Sequence, residues 1–169
     1  AQEFGKMIRK KNSPLEATRK DWIQFIEHQL ENCKKIQIDR GLRKQWLPFV
    51  EEFINSVNWE IEKQRPLHFL HTEIMRDHLF VSKQNGEYKL SGIFDFADSI
   101  YGVNDYDFVA IGCLYSGGDK NLLKAFLEGY GKTVDWNPKK LMAFTLIHRY
   151  SNIEWFLKYV PISRKIESL

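Results

Sequence analysis

Cysteine is scarce in this 169-residue chain. Cys33 and Cys113 match no metal-binding spacing, and two thiols cannot build the disulfide framework of a small secreted domain. A reducing, cytoplasmic setting is the expectation. An excess of one charge is lacking too: 25 Lys and Arg against 22 Asp and Glu leave a formal net charge of +3. The basic residues are scattered along the chain rather than gathered in an arm, which disfavours nucleic acid as a partner. No apolar run approaches the roughly 18 residues needed to cross a bilayer, and the opening AQEFGKMIRKK has no apolar core of a secretory signal. The expectation is therefore a chain with no membrane partner. No internal repeat or low-complexity linker interrupts it.

What remains has globular proportions, 43% hydrophobic and 28% charged, enough for one compact domain over residues 1–169. Residues 15–63 are rich in helix formers. Trp22, Phe25, Ile26, Leu30 and Cys33 recur at three- and four-residue spacing, which predicts one amphipathic helix. Leu47, Val50, Phe53, Ile54 and Val57 predict a second, over about Leu42 to Lys63, with Pro48 in its first turn or interrupting it. Trp22, Trp46, Trp59, Trp136 and Trp155 fall within helical patterns, where core packing is the usual role. Pro14 and Arg65-Pro66 punctuate the region.

The pattern changes at Leu67. LHFLH is short and β-compatible, and HLFVS and YKLSGIFDF flank KQNGE, whose Asn85-Gly86 is a strong hairpin-turn signal. Helix returns over Phe108 to Tyr115, Asn121 to Tyr130, and about Pro138 to Tyr159. The predicted class is mainly α with a small β-hairpin, an α+β fold.

Chemistry concentrates in HTEIMRDHLFVSKQNGEYKLSGIFDFADSIYGVNDYDF. Glu73 and Asp77 precede the hairpin, Asp95 and Asp98 follow it, and a hairpin folds those ends together. With His78 at the start of its first strand, these carboxylates suit a hard cation such as Mg²⁺ holding nucleotide phosphates. Asp95 is the best ligand candidate, because the apolar frame GIFDF would make an unpaired carboxylate costly. Taken singly, Asp95 fits equally well as a turn cap and His78 as an ordinary hydrogen-bonded histidine. Arg76 and Asp77 read as a local surface pair, Asp98 as a surface-loop carboxylate, and Gly92 and Gly102 as turn residues. His28, His68 and His148 read as packing or surface residues, and Lys34-Lys35, Lys139-Lys140 and Arg164-Lys165 as solvated pairs.

His71-Thr72-Glu73, several residues, His78, a hairpin, Ile93-Phe94-Asp95-Phe96 and then Tyr106-Asp107 resemble the catalytic signature of aminoglycoside phosphotransferases and related choline- and homoserine-type kinases, whose order is His-x-Asp, several residues, Asn, a hairpin, Ile-Asp-Phe/Trp and a downstream Tyr-Asp. The resemblance is strongest from about Leu67 to Phe108; GYG at Gly129 to Gly131 and LIHRYSNI at Leu146 to Ile153 resemble the family's C-terminal helices. It implies the C-terminal lobe of a protein-kinase-like fold and transfer of the terminal phosphate of ATP to a hydroxyl, with Mg²⁺. Glu73 then falls at the catalytic aspartate, the base for the acceptor hydroxyl. His78 falls at the metal-binding asparagine, and Asp95 matches the principal metal-binding aspartate, so that both also serve to bind the nucleotide. His71 and Asp107 match residues that support the catalytic loop, and Asp98 is a candidate contact to substrate or a second metal.

The resemblance further implies a β-rich ATP-covering lobe carrying a phosphate-binding lysine. No such pattern precedes Leu67, and AQEFGKMIRK is similar to the helix after the interlobe hinge, so a chain without that lobe, poorly active alone, is expected. The expected acceptor is a small, polar, cationic molecule of aminoglycoside or amino-alcohol type, walled by helices from 15–63 and 138–159. The replacements at Glu73 and His78 leave open a second reading, a catalytically impaired pseudokinase-like binding protein.

Overall fold

The computed structural model describes residues 15–131 and 137–159; Pro14, Trp136, Arg164-Lys165 and the opening segment lie outside them. The apolar repeat that begins at Trp22 makes a long helix, α1 (Leu15–Asp39). It buries Trp22, Phe25, Ile26 and Cys33 on one stripe, and burying a large apolar side chain is worth about 1.5–3 kcal/mol. Gly41, with φ of +96°, lets the chain turn away after the helix.

The single helix expected over 42–63 is instead broken. A 3₁₀ turn (Lys44–Trp46) leads into α2 (Leu47–Asn55), with Pro48 in its first turn, and α3 (Trp59–Gln64) starts afresh. The break lies at Ser56–Asn58, where the Asn58 side chain accepts the backbone N–H of Ile61. Asparagine caps a helix better than it continues one, so a local side-chain bond defeats the longer periodicity. Val50 and Ile54 carry the buried face of α2.

Two small antiparallel sheets follow. β1 (His68–Leu70) pairs with β4 (Ile100–Gly102), with Phe69 opposite Tyr101. β2 (Leu79–Gln84) and β3 (Glu87–Ile93) form the hairpin, with Gln84 opposite Glu87. Its two-residue turn has φ of +51° at Asn85 and +86° at Gly86, the pair of positive angles that Asn-Gly takes readily. A register shift between Phe80 and Val81 leaves Ser91 unpaired as a bulge.

Beyond β4, α4 (Asp105–Val109) runs directly into a π-helical turn (Ala110–Tyr115), then α5 (Lys120–Tyr130), α6 (Pro138–Ile147) and α7 (Ile153–Tyr159). The helix expected over 138–159 is thus interrupted at 148–152. α1 packs against β4 and α6, and α4 against α6. At the centre, Tyr106 meets Trp22, Phe25 and Phe144 edge-on, with ring centroids 5.9, 5.4 and 6.4 Å apart. Gly102 is required for space rather than for a turn: a Cβ there would meet Trp22 Cε3 at 2.7 Å and Leu70 Cδ1 at 2.8 Å. Gly92 likewise lies within β3, opposite Phe80.

Buried charge locks the helices together. Lys140 pairs with Glu62 at 3.2 Å, Glu62 with Arg65 at 2.7 Å, and Arg65 with Asp105 at 2.6 Å, joining α6, α3 and α4. Lys140 is therefore not a solvated residue as expected. Trp155 departs from expectation in the other direction: it is exposed on α7, against Tyr159. His28 and His68 lie at the surface, Cys33 and Cys113 are free thiols whose pKa burial pushes up to about 11, and among the described residues no helix is long and apolar enough to cross a membrane.

Candidate active site

Three segments meet at one end of the hairpin: the loop 71–78 after β1, the loop 94–99 after β3, and the link 148–152 between α6 and α7. The loop 71–78 has no regular ladder of its own until a 3₁₀ turn (Arg76–His78), so side chains from elsewhere must satisfy its backbone. Asp107 does this from α4. Its two carboxylate oxygens accept the N–H groups of His71, at 3.1 Å, and Thr72, at 2.6 Å. Burial pushes the Asp107 carboxyl upward, and those same backbone donors pull it back.

His71 and His78 are both buried, and their hydrogen bonds fix which ring nitrogen carries the proton. The N–H of Glu73 points at His71 Nδ1 (3.4 Å), so the proton of a neutral His71 lies on Nε2, which donates to the Phe94 carbonyl at 2.8 Å. His78 is the reverse: Nδ1 donates to the Glu73 carbonyl at 2.7 Å. In a neutral His78 this leaves the lone pair of Nε2 unused, 3.7 Å from Asp95 Oδ2. Phe94 is held at both ends, since its N–H donates to the His78 carbonyl at 3.1 Å. Asp95 follows at once, with φ of +66°, a left-handed conformation that Asp tolerates better than most residues.

That conformation overturns one expectation from sequence. The Asp95 carboxylate is not buried in the apolar frame; its side chain is 49% exposed, turned outward beside His78. The donor set nevertheless fits a divalent cation: an imidazole nitrogen with its other N–H anchored on a backbone carbonyl, and a free carboxylate. Among the described residues no group of three or more His, Cys, Asp or Glu that could hold a metal ion is present.

Glu73 lies between these loops. Its backbone touches both histidines, and its carboxylate makes no hydrogen bond or ion pair with the described residues. It sits close enough that its charge helps to raise the pKa of the Tyr150 phenol, after burial and the bond to Asp98. Asp98 is no loose surface carboxylate. Oδ1 pairs with Arg149 at 3.0 Å, Oδ2 accepts the Tyr150 hydroxyl, and its carbonyl accepts from both Arg149 and Thr72 Oγ1 at 3.1 Å. Arg76 does not pair with Asp77; it donates to the Tyr115 carbonyl at 3.0 Å, and Asp77 faces solvent.

The sequence alone did not single out Thr72, Arg149 and Tyr150. Arg149 and Tyr150 stand in LIHRYSNI, which offered a signal, whereas nothing marked Thr72. Around the site runs a ribbon of rings: Tyr101, Phe69, Phe96, His71, His78, Phe94 and Phe80 follow one another at 4.7–6.0 Å between centroids. All but the two histidines are exposed.

The Glu73 carboxylate, the His78 and Asp95 pair 3.7 Å apart and the Asp107 brace on the loop between them make an arrangement that could serve phosphoryl transfer. The model of the phosphotransferase enzyme family matches residues 7–144, which covers α1, the hairpin and every one of these loops except the 148–152 link. A kinase-like fold goes with that family, and the mainly helical α+β architecture agrees with it. The chain belongs to the phosphotransferase enzyme family.

Proposed function

We propose that the chain is the catalytic and acceptor-binding part of an ATP-dependent phosphotransferase whose acceptor is a hydroxyl of a small, polar, amine-bearing molecule. The observation that carries this reading is the coupling of Glu73 to His78 through one 2.7 Å bond, with Asp95 facing the free nitrogen of that histidine. A base and a cation site tied to the same short loop hold a hydroxyl and a phosphate in fixed register, and positioning supplies most of the catalysis in this chemistry.

Glu73 accepts the proton of the attacking hydroxyl on its unpartnered carboxylate. His78 Nε2 and Asp95 would hold Mg²⁺, which would offset negative charge on the phosphate oxygens. His71 and Asp107 keep the loop in shape. Two features support the rest. The exposed rings of the ribbon offer apolar faces of the kind a purine base stacks on, and the free carboxylates of Glu73 and Asp95 favour a cationic acceptor, because Arg149 already neutralises Asp98.

The test is transfer of labelled γ-phosphate by the full-length protein to a panel of amino sugars and amino alcohols, with Mg²⁺, for wild type, Glu73→Ala and Asp95→Ala. Transfer abolished in both variants supports the assignment. Nucleotide binding with no transfer to any acceptor would move the protein to the pseudokinase-like class instead.

A further inference from the structure

We infer that Thr72 is a positioning residue for the reaction, and that its hydroxyl fixes the loop carrying Glu73 against the loop carrying Asp95; the inference rests on the phosphotransferase reading above. Thr72 has φ of +69° and is wholly buried. A β-branched residue in the left-handed region is an outlier, with Cβ crowded against the backbone. Such strain costs about 1–3 kcal/mol and persists only where the surroundings over-determine the conformation.

Here they do so through its N–H and its hydroxyl. Its N–H donates to Asp107 Oδ1 at 2.6 Å, and Oγ1 donates to the Asp98 carbonyl at 3.1 Å. Asn and Gly take positive φ at lower cost but carry no hydroxyl on a stiff Cβ. The hydroxyl is what reaches across: the carbonyl it meets lies three residues after Asp95 and also receives the Arg149 guanidinium. Thr72 is therefore a direct tie between the 71–78 and 94–99 loops, beside the bonds that join His71 and His78 to Phe94. Glu73 and His78 lie on one side of it and Asp95 on the other, so the tie sets the base and the imidazole against the Asp95 carboxylate.

Two variants separate this role from simple stability. Thr72→Val keeps the shape and removes the hydroxyl, while Thr72→Ser keeps the hydroxyl and removes the branch. In the full-length protein, Thr72→Val should lower kcat about 10- to 100-fold, the cost of misplacing reacting groups by about 1 Å. The KM for nucleotide should stay within about twofold, and Thr72→Ser should recover most of kcat. Equal kcat for Val and wild type, or a loss that Ser does not recover, overturns the inference. Should wild type transfer no phosphate, it is the phosphotransferase reading that fails, and hydrogen exchange then decides the tie by itself. Thr72→Val should speed exchange in peptides covering both 71–78 and 95–102 while α5 is unchanged; unaltered exchange in either loop overturns it.

Discussion

His148 offers a sharp test of the link between α6 and α7, because it is an ionisable ring with no route to solvent. It is 1% exposed and stacks on Tyr106 with centroids 4.3 Å apart. Nδ1 accepts the N–H of Tyr150 at 3.2 Å, so the ring is held neutral with its proton on Nε2. Burial, and then the positive charge of Arg149, push its pKa down from 6.5 to about 3. The sign follows from linkage. Above the unfolded value the ring is neutral in both states; as pH falls, the unfolded chain binds a proton that the folded chain refuses until about pH 3, and stability drops through that window. Between roughly pH 7 and pH 4 the loss from this one group is about 3 kcal/mol. Urea unfolding of the full-length protein across that range, wild type against His148→Phe, reads it directly. Phenylalanine keeps a ring on Tyr106 and removes the titration, so the difference in stability between the two proteins should swing by about 3 kcal/mol in favour of the variant as pH falls. Parallel pH profiles would show that His148 is not held neutral in the folded state.

Other consequences can be checked more briefly. Gly102→Ala forces a methyl into Trp22 and Leu70 and should cost about 1–3 kcal/mol in chemical denaturation. Asp107→Asn replaces an acceptor oxygen facing the N–H groups of His71 and Thr72; a loss of about 1.5–3 kcal/mol is expected, together with faster amide exchange at those two positions. His78→Ala should weaken Mn²⁺ binding, measured by electron paramagnetic resonance, by about 10- to 100-fold or more, and an unchanged affinity would remove His78 from the cation site. Glu73→Gln should cut transfer by about 10²–10⁴-fold while nucleotide affinity holds.

Short-range signals in the sequence survived folding best. The Asn85-Gly86 turn acts over two residues, and it specified the hairpin that brings His78 to Asp95. The apolar stripe of α1 was equally legible, since its period is set within the helix. The long helices predicted for 42–63 and 138–159 were not, because Asn58 and the 148–152 link answer to partners that periodicity does not register. Of the candidate site, His71, Glu73, His78, Asp95 and Asp107 are visible in the sequence as residue types in an order. Their relations were not: Asp98 was taken for a surface carboxylate because Arg149 and Tyr150, more than 50 residues away, neutralise it only in three dimensions. Thr72 was invisible for a different reason, since a backbone angle leaves no trace in the identity of a residue that normally avoids it.

The bulge at Ser91 and the clamp of Phe94 on His78 divide the hairpin into a fixed root and an outer arm. From Val81–Leu90 to the tip, the arm projects exposed side chains and makes no hydrogen bond to the site. Its length is thereby uncoupled from the chemistry at its base. Residues added or removed in matched pairs across the arm would preserve the pleat and leave His78 and Asp95 in place. The turn is thus a natural point at which to graft a reporter or a tether onto the protein without retuning its site.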